Sequence, residues 1–211
     1  MDERGPGYRK KVRIIQLSLA GEISHGLCVS NLACRVGSEL KLSAEVCHKL
    51  AVAGFLHDVG KLELRRYMYG HEDDTLTIEE MKYVRMHADL SARILEENGY
   101  SSDLVEWVHC HHENCDGSGY PRNLTKESIP LEARILRVCD VFAALTSKRP
   151  YREAFDPDTA VELMIDEIKN YDLRVFLAFL RVIHRSDLNQ ILDVGETRQT
   201  VHRLIYEQAS Q

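Results

Sequence analysis

A chain of 211 residues, 44% hydrophobic and 28% charged, is long and apolar enough for one large soluble domain, or two small ones, with a full core. Its 33 acidic and 27 basic side chains leave a formal charge of −6. That excludes the broad basic field that binds nucleic acid polymers, but not a local cationic pocket for a small phosphorylated ligand. No apolar run approaches the ~20 residues that cross a bilayer. Met1-Asp2-Glu3-Arg4-Gly5 lacks the apolar segment of a signal peptide. A cytoplasmic protein without membrane contact is therefore expected, with Cys28, Cys34, Cys47, Cys110, Cys115 and Cys139 as reduced thiols.

Residues 1–9, with Gly5, Pro6 and Gly7, read as a flexible N-terminus. From Lys10 to about Arg35, Val12, Ile15, Leu19, Ile23, Leu27 and Leu32 recur at helical spacing, and Gly37-Ser38 marks a break. Ser43 caps a second helix that runs through Val46, Leu50, Val52, Ala53 and Leu56 to His57. Arg65 to Asp74 reads as a loop. Thr77-Ile78-Glu79-Glu80 is a capping box, opening a helix through Met81, Val84, His87, Leu90 and Leu95 to Gly99. Ser102 or Asp103 caps the next, which ends in His109-Cys110-His111-His112-Glu113. Asp116-Gly117-Ser118-Gly119-Tyr120-Pro121 has no helical period and is a loop. Leu131 to Thr146 is helical again. Asp156-Pro157 caps a helix to about Lys169, and Asp172 caps another through Val175, Phe176, Phe179, Leu180 and Ile183. The tail, 186–211, carries helical potential from Glu196 to Glu207. No alternating strand appears, so the expected fold is all-α: a single helical bundle of about seven or eight helices.

Within this pattern, an apolar run from Leu50 stops at His57-Asp58, with Gly60 and Lys61 behind it. A carboxylate at the end of a buried helix is costly unless a partner offsets it. His25, His57, Asp58, His87, His111, His112 and Asp140 all interrupt apolar helical stretches, and bundles build metal sites from facing helices. Seven nitrogen and oxygen donors are too many for one tetrahedral ion and suit two, with Asp58 or a water between them. Taken singly, each has a plainer reading as a packed or solvated helix residue. His48, His71, His109, His184 and His202 are read that way. Cys110 and Cys115 flank the histidine pair, but their spacing is not that of a zinc motif, and they read as packing residues.

His57-Asp58-Val59-Gly60-Lys61, His111-His112-Glu113 and Asp116-Gly117-Ser118-Gly119-Tyr120-Pro121 together resemble the HD-GYP family of metal-dependent phosphohydrolases. The similarity continues through Ile129 to Ile135, Asp140-Val141-Phe142 and Arg149-Pro150-Tyr151-Arg152, and spans about Ser24 to Phe179 in register. It implies an HD-domain-like bundle over 10–185 that hydrolyses cyclic di-GMP to a linear dinucleotide, or on to GMP, with iron or manganese. It also implies His25, His57, Asp58, His87, His111, His112 and Asp140 as ligands. Asp58 and Lys61 would be catalytic, Lys61 on the scissile phosphate. Tyr120 and Arg149 would lie near the substrate, with Glu113 and Asp116 as supports of the loop. Gly117 and Gly119 are expected to permit backbone angles closed to other residues.

Two positions depart from the family pattern. Three-metal members have a Glu four residues before the first His. Here that position is Gly21, and Glu22 is rotated by about 100 degrees, so it is expected to point elsewhere. Two divalent metals are therefore expected. The family often has an Asp where this chain has Ala143. A metal pair supplies a bridging hydroxide and a charge clamp for phosphodiester cleavage, and Lys61 adds positive charge where the transition state gains negative charge. A mixed cyclic dinucleotide is the neighbouring substrate reading. A contrasting reading is an inactive sensor or adaptor that binds cyclic di-GMP, or docks a GGDEF-type diguanylate cyclase through Gly119-Tyr120-Pro121. Family members often carry regulatory domains ahead of the catalytic one. The short stretch before His25 is too small for one, so regulation is expected from elsewhere, or the chain is a fragment.

Overall fold

The expected helical periods become, among the described residues, eight α-helices and no strand. The computed structural model describes residues 7–67, 85–148 and 152–185, with side chains over 21–64, 85–148 and 152–185. The helices are α1 (Gly7–Glu39), α2 (Ala44–Leu56), α3 (Gly60–Tyr67), α4 (His87–Glu97), α5 (Ser102–His109), α6 (Leu131–Leu145), α7 (Pro157–Asp166) and α8 (Leu173–Arg185). A short 3-10 turn, Ile168–Asn170, joins the last two. The expected capping box at Thr77, the N-terminal part of its helix, Arg149 and the tail from 186 lie outside the described residues.

α1 is the spine. Val29, Leu32, Ala33 and Val36 line its buried face and meet Leu50 and Ala53 of α2, Leu136 and Cys139 of α6, and Phe179 and Val182 of α8 in one core. Phe142 and Phe179 pack edge to face with centroids 5.0 Å apart. Side chains of this size contribute roughly 1.5–3 kcal/mol each when fully buried.

The expected break at Gly37-Ser38 does not occur: α1 runs two residues further, to Glu39. The glycine is there for room. A Cβ at position 37 would stand 2.8 Å from Leu50 Cδ1 and 3.2 Å from Cys47 Sγ, so its absence lets α2 lie against α1. The helix closes beyond it, where Leu42 N donates to Gly37 O and Lys41, at φ 64°, takes the left-handed position. Arg65 to Tyr67 are helical, not loop, because α3 continues past the buried Leu64 through residues of good helix propensity. The cap of α5 is Ser101, one residue earlier than expected, while Asp103 accepts from Leu104 N. Ser43 and Asp156 are N-caps as expected; their side chains accept from Val46 N and Thr159 N.

No helix among the described residues is long and apolar enough to cross a membrane.

Candidate metal centre

Five segments deliver the polar residues to one place. His25 projects from the middle of α1. His57 and Asp58 follow directly on α2, whose last helical residue is Leu56. His87 opens α4, His111 and His112 lie in the turn after α5, and Asp140 sits in the apolar α6. His25, His57, Asp58, His87, His111 and Asp140 are buried, and His112 is half-buried. The structure brings all seven together. His25 Nε2 lies 3.0 Å from Asp140 Oδ1 and 3.8 Å from Asp58 Oδ2. His57 Nε2 lies 3.3 Å from Asp58 Oδ2 and 3.5 Å from Asp140 Oδ1. On the other side of the carboxylate, His87 Nε2 is 3.2 Å from Asp58 Oδ1 and His111 Nε2 is 4.0 Å from it. His87 Nε2 also lies 3.3 Å from His111 Nε2 and 3.0 Å from His112 Nε2.

These donors divide into two groups able to hold a cation, His25/His57/Asp58 and Asp58/His87/His111/His112, with Asp58 in both. Asp140 accompanies the first. Local bonds orient the rings. His57 Nδ1 is 2.8 Å from Gly54 O and His111 Nδ1 is 2.5 Å from Val108 O. Each Nδ1–H donates to its carbonyl, so each Nε2 lone pair faces inward, as metal-binding histidines require. His57 Nε2 and Asp58 Oδ1 are buried and have no hydrogen-bond partner. Buried polar atoms left this way call for a ligand, and a divalent cation satisfies both.

The electrostatics agree. Burial, reinforced by the neighbouring histidines, holds His111 and His112 well below the usual imidazole range, so both are neutral donors. Burial opposes charge on Asp58 and Asp140. Their neighbours outweigh it, the charges of His57 and Lys61 at Asp58 and hydrogen bonds from His25 and His57 at Asp140, and both carboxyls are held well below their usual range. Burial also opposes charge on His57, yet Asp58 and Asp140 raise it to about 10. Two ionised carboxylates in a buried pocket thus draw a proton onto His57, and a metal ion would supply that positive charge instead.

Lys61 Nζ donates to Asp58 Oδ2 at 2.5 Å, and Asp58, Asp140 and Glu22 raise its pKa against the burial that lowers it. Glu22 is near enough for its charge to act on Lys61, and it is in neither donor group. A Cβ at Gly21 would meet nothing within 4 Å. The Tyr120 ring stacks on His112, with centroids 4.6 Å apart at 23°, and the Arg85 guanidinium lies 5.3 Å from the Tyr120 centroid. Burial raises the Tyr120 phenol well above its usual range, so it stays protonated.

The loop carrying Tyr120 is pinned from below. Buried Glu113 accepts from Arg122 N at 2.7 Å and Leu124 N at 2.9 Å, and Asp116 accepts from Ser118 N at 3.0 Å. Neither joins the donor groups. Gly117 has φ +81°, as a turn glycine should. Gly119 is constrained differently: a Cβ there would fall 2.2 Å from Asn114 N, so contact and not backbone angle demands glycine. Cys110 and Cys115 take no part in the donor groups, and Cys110 Sγ sits against Arg122 and Glu106. Of the other histidines, His109 pairs with Asp89 at 2.7 Å; His71 and His202 lie outside the described residues. Two residues missed in the sequence stand at the centre's edge: Arg85, and Arg137, whose Nη1 is 3.5 Å from His112 Nδ1. The helical register of Arg137, three residues before Asp140, was the available signal.

A family model described as HD domain matches residues 10–175. A cyclic di-GMP phosphodiesterase of Pseudomonas aeruginosa is 34% identical over 173 residues, 81% of this chain and 42% of its own length. A 3'3'-cGAMP-specific phosphodiesterase of Vibrio cholerae is 34% identical over 159 residues, 74% of this chain and 37% of its own. The cyclic di-GMP phosphodiesterase response regulator RpfG of Xanthomonas campestris is 37% identical over 166 residues, 77% of this chain and 43% of its own. The chain thus spans about two fifths of the length of these curated relatives. Among solved structures, Bd1817, an HDG"Y"P protein from Bdellovibrio bacteriovorus, superposes with a TM-score of 0.62 at 18% identity, over 76% of this chain and 51% of that one. The V. cholerae cyclic GMP-AMP phosphodiesterase V-cGAP3 gives 0.65 at 14% identity, over 88% and 52%. At these identities the structures speak for the fold.

Proposed function

The chain belongs to the HD-domain family, in its HD-GYP branch, and from that premise we propose that it is a metal-dependent phosphodiesterase that opens cyclic di-GMP to a linear dinucleotide. One observation carries this reading: a single buried carboxylate, Asp58, is shared by two sets of inward-facing donors and is also the partner of Lys61. Residues 10–185 are the proposed catalytic unit, and the cytoplasm its place.

His25, His57, Asp58 and Asp140 would hold one divalent cation, and Asp58, His87, His111 and His112 a second. A set of imidazoles and carboxylates without thiolate suits iron or manganese. When bound, such a pair supplies an acidified water and Lewis-acid polarisation of the phosphoryl oxygens. The protein's own groups do the rest. Lys61 holds Asp58 in place and sets a permanent ammonium where phosphoryl oxygens gain charge. Tyr120, packed on His112, forms a wall of the pocket and keeps a phenolic proton for a substrate oxygen. Arg149 is assigned to the substrate on the resemblance alone.

The adaptor reading finds less support. Every donor and Lys61 are in place, and the Gly119-Tyr120 tip expected to dock a GGDEF-type cyclase turns inward, with Gly119 buried and Tyr120 on His112. The relatives' names divide between cyclic di-GMP and 3'3'-cGAMP, so both belong in the assay. Protein purified anaerobically and loaded with Fe(II) or Mn(II) is expected to convert cyclic di-GMP to the linear dinucleotide, followed by chromatography. Intact cyclic di-GMP after hours, under conditions where a reference HD-GYP enzyme cleaves it, overturns the proposal. Binding without product would select the adaptor.

A further inference from the structure

Arg137 stands one turn before Asp140 on α6 and belongs to neither donor group. Four other arginines of the described fold have carboxylates: Arg134 pairs with buried Asp172, Arg122 with Glu106, and Arg181 and Arg185 with Glu39. Arg137 is half-buried, yet among the described residues no carboxylate oxygen lies within 4.0 Å of its guanidinium. Its Nε donates to the neutral Asn114 Oδ1 at 3.0 Å, and its Nη1 reaches His112 Nδ1 at 3.5 Å. A partly desolvated cation without an anion is costly to hold, and evolution of a fold tolerates it most readily where an anionic ligand completes the charge balance.

The contact with His112 is itself conditional. His112 Nε2 lies 3.0 Å from His87 Nε2 and faces the second donor group. When Nε2 gives its lone pair to a cation, the ring proton resides on Nδ1, which then cannot accept from Arg137. The guanidinium keeps Asn114 and has its remaining N–H groups to offer, in a planar fork that matches two oxygens of a phosphodiester. Lys61 marks the Asp58 end of the centre, and Arg137 marks the His112 end.

We propose that Arg137 is a substrate-binding residue that contacts a phosphoryl oxygen of the scissile phosphodiester. This rests on the phosphodiesterase reading of the centre, and the test separates the two. Wild type, Arg137→Ala and Arg137→Lys are loaded with Mn(II). Metal content is measured by elemental analysis, inorganic phosphate binding by calorimetry, and turnover on cyclic di-GMP and on the small diester bis(p-nitrophenyl) phosphate. Arg137→Ala is expected to keep its metal, bind phosphate about 10-fold more weakly and lose about 10²-fold in kcat/KM on both substrates. Arg137→Lys should recover part of each loss, and added guanidinium should partly restore Arg137→Ala. If the alanine variant does not fold, Arg137→Gln takes its place.

Metal lost together with activity would make Arg137 a support of His112 and overturn the proposal. Unchanged phosphate affinity and rates would overturn it too. A defect on cyclic di-GMP alone, with bis(p-nitrophenyl) phosphate unaffected, would move Arg137 to a distant part of the substrate and equally reject the contact proposed. Wild type that cleaves the small diester but not cyclic di-GMP would sink the substrate reading, and phosphate binding would still decide on Arg137.

Discussion

Asp58 is the residue on which the centre turns. Its Oδ2 faces His25, His57 and Lys61, and its Oδ1 faces His87 and His111. An amide in its place keeps the shape but removes the charge, and one end becomes a donor aimed at donors. Asp58→Asn is therefore expected to abolish binding at both positions rather than one. Elemental analysis should show metal falling from two ions per chain toward none, with turnover below detection and the far-ultraviolet circular dichroism unchanged. One ion retained would show that the two donor groups are independent and that Asp58 does not join them. The seven donors were legible as residues because each breaks an apolar stretch. Arg137 is less plain: its place three residues before Asp140 is a signal, but a charged residue on a partly exposed helix face is ordinary, and the missing carboxylate shows only in the three-dimensional neighbourhood.

At the scale of elements, the helices and most caps could be read from apolar spacing and from Ser43 and Asp156. The misreadings share a cause. In the sequence Gly37 reads as a break and Gly119 as a position of special backbone angle, whereas both are places where another chain segment comes too close for a Cβ. Sequence shows a glycine, but not which of its two physical properties is in use. The distinction is testable. Gly119→Ala would put a methyl onto Asn114 N and Glu113 Cα, so the loop must shift and take Tyr120 off His112. Turnover should fall by at least about 10-fold through loss of positioning, with metal content retained, because no ligand lies in the loop beyond His112. An unaltered rate would show that the loop does not shape the pocket. Asp156→Ala, far from the centre in sequence, removes the acceptor of Thr159 N and Thr159 Oγ. It should cost about 1 kcal/mol, or roughly 2–4 °C in Tm, and leave kcat/KM unchanged. A change in kcat/KM there would mean that α7 communicates with the site.

For the whole molecule, the centre is a buried set of coupled charges, so folding and metal binding must share a pH dependence. In the metal-free protein, His111 and His112 are held below the usual imidazole range by burial, whereas the unfolded chain protonates them below about pH 6.5. The unfolded state binds more protons there, so stability falls as the pH drops below that point. His57 has the opposite sign. Asp58 and Asp140 raise it to about 10, so its contribution is complete below about pH 6.5 and is lost as the pH rises toward 10. Chelator-treated protein should therefore show a Tm that peaks near pH 6.5 and declines on both sides. Bound cations take the place of the His57 proton, so loading with Mn(II) should remove the alkaline decline. Protons then compete with metal for the imidazoles, which should steepen the acid side. Thermal denaturation from pH 5 to 9.5, with and without chelator, compares the two profiles. Coincident curves would mean that no cation binds where Asp58 gathers its neighbours, whereas curves that separate mainly above neutrality would locate the exchange of proton for metal at His57.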